Sequence, residues 1–547
     1  MALKKVISAD DGVALIRDGD VLASSGYGGK SRRNEAAAFV VLLLLIGAIP
    51  ASAQPVAGDS KAARPPSEQV IISHMPRQLV RLHALRRRIL GKVKFKRLPQ
   101  TKSEVWTVPK ARMVRLKYGL RLMGVKVTHL RDDWNHILKR EKKPMLVSRS
   151  QEDVLANAKR SPATVNIGLM RTPEPAVAEY ALTGSGEAPG AADSTAPDDG
   201  MSRLIIPISD NQQITVVRTK ARHTEQGVTW RGTVEETGES AVLMWWKDGR
   251  LSGVLGYKGH IYAVMNMGDQ VHAVIEVDPK KMPPDHANRS DNPGQGDRAQ
   301  AGGDRNKPLP LPKVEPISPG DLEVLNAKKI VIDVMMLYTK KAASHYMLQP
   351  GDAIELAIEQ ANESFRNSGL GNINLRLVHT QAIDYDEKGA EQFTHLYRMV
   401  DGDGAFKDLR RLRNERHADL VGLIVDDPTG CGLSTRVAPD PEEAYFLVHH
   451  SCAAITITIA HEVGHILGAR HDRWTDPNNT PFAYGHGYVN GSKWRDIMSY
   501  QDGCKGCPRI PFWSNPRVLY KGEPTGTLIE DNARVILEQA ERVSSFR

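Results

Sequence analysis

Residues 460–472 read AHEVGHILGARHD, which places three histidines and one glutamate within twelve positions. Imidazole nitrogens are metal ligands and a carboxylate beside them can accept a proton, so these residue types could carry out metal-assisted hydrolysis. On a helix His461 and His465, four residues apart, stand one above the other on one face and can offer two nitrogens to one ion. His471, six residues further on, would be carried most of the way to the opposite side if the helix continued. Gly468 is where the chain can break, because glycine tolerates the positive φ that ends a helix and turns the backbone back. Three neutral histidines leave the fourth position of a tetrahedral zinc open, the mark of a catalytic site. Glu462 adjoins the first ligand, where it can take a proton from the water that zinc activates. HExxH alone arises by chance in roughly 0.03 of chains of this length, and the added glycine and third histidine lower that to about 0.0001.

The elements that must position these residues are legible in part. From Ile455 to Ile459 five β-branched residues follow one another and the pattern alternates like a strand, yet the ligand spacing requires a helix, and the spacing is given precedence. Upstream, KIVIDVMMLY (329–338) is β-like, 352–367 is an amphipathic helix with Ile354, Ala357, Ile358, Ala361 and Phe365 on one face, and 373–383 is β-like again. A further helical stretch ends near His417, 418–427 is a buried strand, and DNARVILEQAERVSSF closes the chain as a helix. Such alternation predicts an α/β unit with a largely parallel sheet. Residues 203–278 change period: two apolar runs joined by Lys247, Asp248 and Gly249 predict a hairpin within a small antiparallel β domain.

The 547 residues are too many for one hydrophobic core and imply at least two folded units. The net charge of +9 is unevenly distributed: from Asp321 onward 25 Lys/Arg face 31 Asp/Glu, so the C-terminal part is no basic nucleic-acid binder. Arg and Lys concentrate between Lys61 and about Arg160, read as a solvated, partly helical pro-region. Residues 184–200 read as a linker, and residues 279–320 as a polar, Pro- and Gly-rich one where activating proteolysis would fall, releasing a mature enzyme of about 225 residues. Residues 30–53 have a basic n-region, an apolar run from Ala36 to Ile49 and Ala51-Ser52-Ala53 before the cut, which predicts a secretory signal peptide rather than a membrane anchor. Residues 1–29 resemble the opening of an acetate- or propionate-type CoA-transferase. About thirty residues cannot hold that fold, and they are read as a misassigned start or fusion scar. Cys431, Cys452, Cys504 and Cys507 are disulfide candidates for an oxidising compartment, with three pairings open. No cysteine precedes Cys431, so any latency must come from a carboxylate, a histidine or steric cover.

The motif HEVGHILGARHD followed by DIMSY resembles the metzincin zinc endopeptidases. More closely, residues 328–547, with IVDDPTGCG, NNTPFAYGHGY, IMSY, CPRIPFWSNP and DNARV, resemble the bacterial peptidyl-Asp metallopeptidases, a secreted metzincin family. The resemblance implies an α/β metzincin zinc-protease domain, here 321–547, preceded by the β pro-domain (201–278) and the basic, partly helical region (54–200). It implies one catalytic Zn²⁺ on His461, His465 and His471, Glu462 as general base and Met498 as the hydrophobic floor. Tyr500 matches the position of a tyrosine near the metal, which could donate to an oxyanion. Asp472 resembles the reprolysin-type branch and is assigned to fixing the turn; His486 is read as structural. The resemblance implies cleavage on the amino side of acidic residues, for which a cation must line the pocket after the cut, and Arg470, Arg473, Arg495, Arg509 and Arg517 are available. Protein or peptide substrates, a monomer, no membrane anchor and no indicated Ca²⁺ complete the reading, against the alternative of a catalytically inactive zinc-containing peptide-binding protein.

Overall fold

The computed structural model describes residues 67–285 and 311–547, apart from 75–77, 92–94, 99–100, 102, 130–136, 142–148, 184–201, 210, 224–226, 346–349 and 505. The expected extension at 1–29, the signal peptide at 30–53, the linker at 184–200 and the middle of the linker at 279–320 lie outside the described residues.

Two units divide the chain. In the first, strands β1 (Ser67–Ser73), β2 (Phe95–Arg97), β3 (Glu104–Pro109) and β4 (Lys126–His129) form an antiparallel sheet in the order β2-β3-β1-β4. Leu82, Leu85 and Ile89 of the helix Leu79–Leu90, and Met113, Leu116 and Leu120 of the helix Lys110–Leu122, recur at helical spacing and bury against Val70, Ile72, Trp106 and Val108. Arg81, Arg87, Arg88 and Lys117 stay exposed. The helices expected in the basic region therefore come with a packed core, which its high charge concealed.

The second unit holds two sheets. One runs antiparallel through nine strands: β5 (Lys139–Arg140), β6 (Thr164–Arg171), β7 (Arg203–Pro207), β8 (Gln213–His223), β9 (Gly227–Val234), β10 (Ser240–Trp246), β11 (Leu251–Tyr257), β12 (His260–Asn266) and β13 (Val271–Val277). Their order is β5-β6-β13-β12-β11-β10-β9-β8-β7. The expected hairpin joins β10 to β11 through Gly249 at φ 90. The sheet reaches beyond the boundary expected near residue 201, because β6 pairs with β13 from within the basic region.

The other sheet comprises β14 (Ile330–Thr339), β15 (Ile373–Ile383), β16 (Leu420–Val425), β17 (Gly432–Ser434) and β18 (Tyr445–His449), ordered β15-β14-β16-β18-β17. Its pairs are parallel except β17 with β18, an antiparallel edge that the sequence pattern did not suggest. Along β14, Ile332, Val334 and Met336 enter one core and Met335 and Leu337 the other, as a strand covered on both faces requires. The first core also takes the helix Pro350–Asn367, with all five expected apolar residues buried, and Met244 and Trp246 of the nine-stranded sheet. Polar contacts fasten the same pair of elements: Arg231 pairs with Glu359 and, at 2.9 Å, with Glu363; Arg222 pairs with Glu359; Arg250 pairs with Asp352; and Trp246 Nε1 donates to Glu355 at 2.7 Å.

Candidate active site

The helix Thr458–Ile466 carries the motif, and the conflict between propensity and ligand spacing is settled at its first residue. Ile457 adopts a left-handed conformation at φ 60, so Ile455, Thr456 and Ile457 stay outside the helix and only two of the five β-branched residues lie within it. The helix stops before Gly468, whose φ is +99; a Cβ there would lie 2.7 Å from Phe482 and 2.9 Å from Val535, so conformation and space both require glycine. The returning chain is bonded to the strand-like segment at 485–487, where Arg470 N–H donates to Gly485 O and Gly487 N–H to Arg470 O.

That return brings His471 back to the helix. Its Nε2 stands 3.0 Å from His465 Nε2 and 3.3 Å from His461 Nε2, and all three residues are buried. His461 Nδ1 donates to Ile497 O and His465 Nδ1 to Ala469 O, each at 2.9 Å. Since a carbonyl can only accept, each Nδ1 carries the hydrogen and each Nε2 turns a lone pair toward the shared centre. Burial, aided by the Arg509 charge, pushes His461 down to about 3, so its imidazole is neutral at physiological pH. Lone pairs held this close repel unless a cation lies between them, and the donor set fits a metal ion. His486 Nδ1 donates to the backbone oxygen of His471 at 2.9 Å, which agrees with its structural reading.

Glu462 is buried, and the hydroxyl of Ser434 on the edge strand β17 donates to its Oε2 at 2.7 Å. Ser434 was not a candidate from the sequence; its contact spans 28 residues and has no local signature. Beneath the motif helix Met498 is fully buried, its sulphur so close to Gly464 that a Cβ there would lie 3.0 Å away. Its loop is tied by Asp496, which accepts from Ser499 N–H at 2.9 Å and Ser514 N–H at 3.0 Å. The Tyr500 ring lies 4.4 Å from the His471 ring. Asp472 accepts from Trp474 N–H, Thr475 N–H and Tyr500 N–H. The disulfides pair Cys431 with Cys452 and Cys504 with Cys507.

A second group, His345, Asp426 and His450, also lies within ligand distance. There the Lys341 ammonium already stands 2.9 Å from the Asp426 carboxylate, so a cation is in place and a metal ion would be repelled.

The five candidate arginines separate by partner. Arg470 pairs with Asp476 at 2.6 Å, Arg517 grips Asp531 with both nitrogens, and Arg473 donates to Asn479 and Ala483 O. Arg495 and Arg509 share one carboxylate, Asp285, at 3.1 and 3.0 Å. Asp285 belongs to the segment that follows the nine-stranded sheet and went unremarked in the sequence, 210 residues from Arg495.

Comparisons with known proteins accord with this geometry. Residues 328–514 match the Reprolysin_5 model of metallo-peptidase family M12. The peptidyl-Asp metalloendopeptidase of Xanthomonas campestris is 31% identical over 358 residues, covering 62% of this chain and 80% of that protein. The protein of the same name from Stenotrophomonas maltophilia is 31% identical over 320 residues, covering 57% of this chain and 72% of that protein. A third, from Pseudomonas fragi, is 40% identical over 190 residues, covering 34% of this chain and all of that sequence.

Proposed function

Because the chain belongs to the peptidyl-Asp metalloendopeptidases, within metallo-peptidase family M12, we propose that this zinc endopeptidase is exported, is made as a zymogen and cleaves on the amino side of Asp and Glu. The observation that carries the catalytic reading is the convergence of three Nε2 atoms, two of them fixed in tautomer by backbone carbonyls.

His461, His465 and His471 would hold the zinc. When bound there, zinc supplies Lewis acidity, polarising a carbonyl and making a water acidic near neutral pH. Glu462 takes the proton of the attacking water on a carboxylate oxygen and returns it to the nitrogen of the leaving amine. Ser434 holds that carboxylate in place through its hydrogen bond to Oε2. The Tyr500 hydroxyl, beside His471, donates to the oxygen that gains negative charge. Met498 and the apolar residues packed with the helix hold its histidines in place. Two disulfides support an oxidising destination, and no helix among the described residues is long and apolar enough to cross a membrane.

The test is hydrolysis of a mixed peptide library by the processed enzyme, comparing the parent with Glu462→Gln at equal zinc content. Cleavage that a chelator stops and the variant lacks, with Asp or Glu following the cuts, supports the reading. Zinc binding by both proteins without cleavage by either would leave a peptide-binding protein.

A further inference from the structure

Residues Met282 to Asp285 leave the nine-stranded sheet and run alongside Cys431, next to the edge strand β17 that faces Glu462. Cys431 N–H donates to Pro284 O at 2.7 Å, and Cys431 Sγ lies 3.4 Å from Pro283 O. One residue further, the Asp285 side chain, 16% exposed, enters between the guanidinium groups of Arg495 and Arg509, each 10% exposed. The two arginines are set side by side by backbone bonds, Arg495 N–H to Pro508 O and Ile510 N–H to Arg495 O, and the Cys504–Cys507 disulfide closes the loop between them. Arg495 also donates to Ser499 O, the residue between Met498 and Tyr500. Among the described residues, no carboxylate of the catalytic part forms an ion pair with either arginine. Two neighbouring buried cations whose ion-pair partner, among the described residues, is one carboxylate from the segment that follows the nine-stranded sheet form a receptor for an anion, and are costly to bury without one.

From this arrangement, and resting on the acidic preference proposed above, we infer that Arg495 and Arg509 form the pocket that selects the acidic residue after the scissile bond, and that Asp285 fills it in the uncut chain as a substrate-like plug. Burial opposes the charge of Asp285, but Arg509 and then Arg495 hold its carboxyl below the usual range. A substrate aspartate in that place would gain the same two charge-assisted contacts, whereas asparagine of equal size would gain neither charge. The plug resists cleavage because the carbonyl that precedes it, Pro284 O, is bonded to Cys431 N–H and so is not presented for attack.

The experiment uses the full-length chain, before and after its processing, and two fluorogenic peptides that differ only in Asp or Asn after the scissile bond. Arg509→Gln and Arg495→Gln should reduce kcat/KM of the processed enzyme for the Asp peptide about 100-fold, with much less effect on the Asn peptide. Arg509→Lys, which keeps the charge, should retain part of the preference, and equal zinc content checks that each variant is folded. A synthetic peptide covering residues 279–290 should inhibit the processed parent competitively, about tenfold or more better than the same peptide with Asp285→Asn, and this advantage should vanish against Arg509→Gln. A parent that prefers Asp while the folded arginine variants keep the full preference would overturn the inference and leave the acidic reading standing. Equal inhibition by both synthetic peptides would overturn the plug. Absence of any acidic preference in the parent would remove the reading on which the inference rests.

Discussion

Ser434 Oγ lies 2.7 Å from Glu462 Oε2, joining the antiparallel edge of the parallel-stranded sheet to the carboxylate of the motif helix. The bond is buried, where water does not replace a lost partner. Ser434→Ala should reduce kcat about tenfold with little change in KM or zinc content, and Ser434→Thr should restore much of the loss. Steady-state kinetics with metal analysis measures both, and an unchanged kcat would mean that Glu462 is positioned without this bond.

Gly468 offers a sharper stability test. Alanine there meets Phe482 and Val535 and must also adopt φ near +99, so Gly468→Ala should cost about 2 kcal/mol or more and displace His471. Thermal unfolding should show a fall in Tm together with weaker zinc retention during dialysis against a chelator. A fall in Tm with normal zinc retention would separate the turn from the ligand.

His486 supports the third ligand through the backbone of His471. Replacing it by Phe removes the donor while filling the space, and zinc affinity should drop about 10-fold to 100-fold. Competition with a chromogenic chelator measures this, and an unchanged Kd would make His486 a packing residue only.

Burial pushes Asp496 up to about 7, with the donors from Ser499 and Ser514 offsetting only part of that cost. A carboxyl whose folded pKa exceeds its unfolded value near 3.8 binds an extra proton in the folded state. Its contribution is therefore most favourable below about pH 4 and is lost as the pH rises to about 7. Unfolding of the zinc-loaded enzyme in urea at steps between pH 4 and 8 should show the parent losing stability with rising pH more steeply than Asp496→Asn. Parallel pH dependences for the two proteins would contradict this assignment.

The convergence of the three histidines was legible because it is written in spacing: His461 and His465 on one helical face, a glycine where the helix must end, and His471 after the turn. The strand at 373–383 and the helix over 352–367 were legible for a similar reason, since their apolar residues recur with the period of the element that buries them. The segment Ile455–Ile459 misleads locally, because its strand-like alternation belongs partly to a turn that ends in the left-handed Ile457. The strand β17 is three residues long and has no period to detect. Ser434 and Asp285 acquire their roles only through partners far away in the chain, and β6 was obscured by the charged region around it.

The fastening of the nine-stranded sheet to the helix Pro350–Asn367, through Arg231, Arg222, Arg250 and Trp246, changes what a cut between 286 and 310 accomplishes. Severing the chain there breaks no contact of that interface. On the proposed zymogen reading it converts a tethered blocker into one subunit of a noncovalent complex, whose occupancy follows mass action where before it was independent of concentration. A freshly nicked sample should accordingly gain activity with a lag, reach a larger active fraction on dilution, and gain activity faster when the released sheet is itself digested.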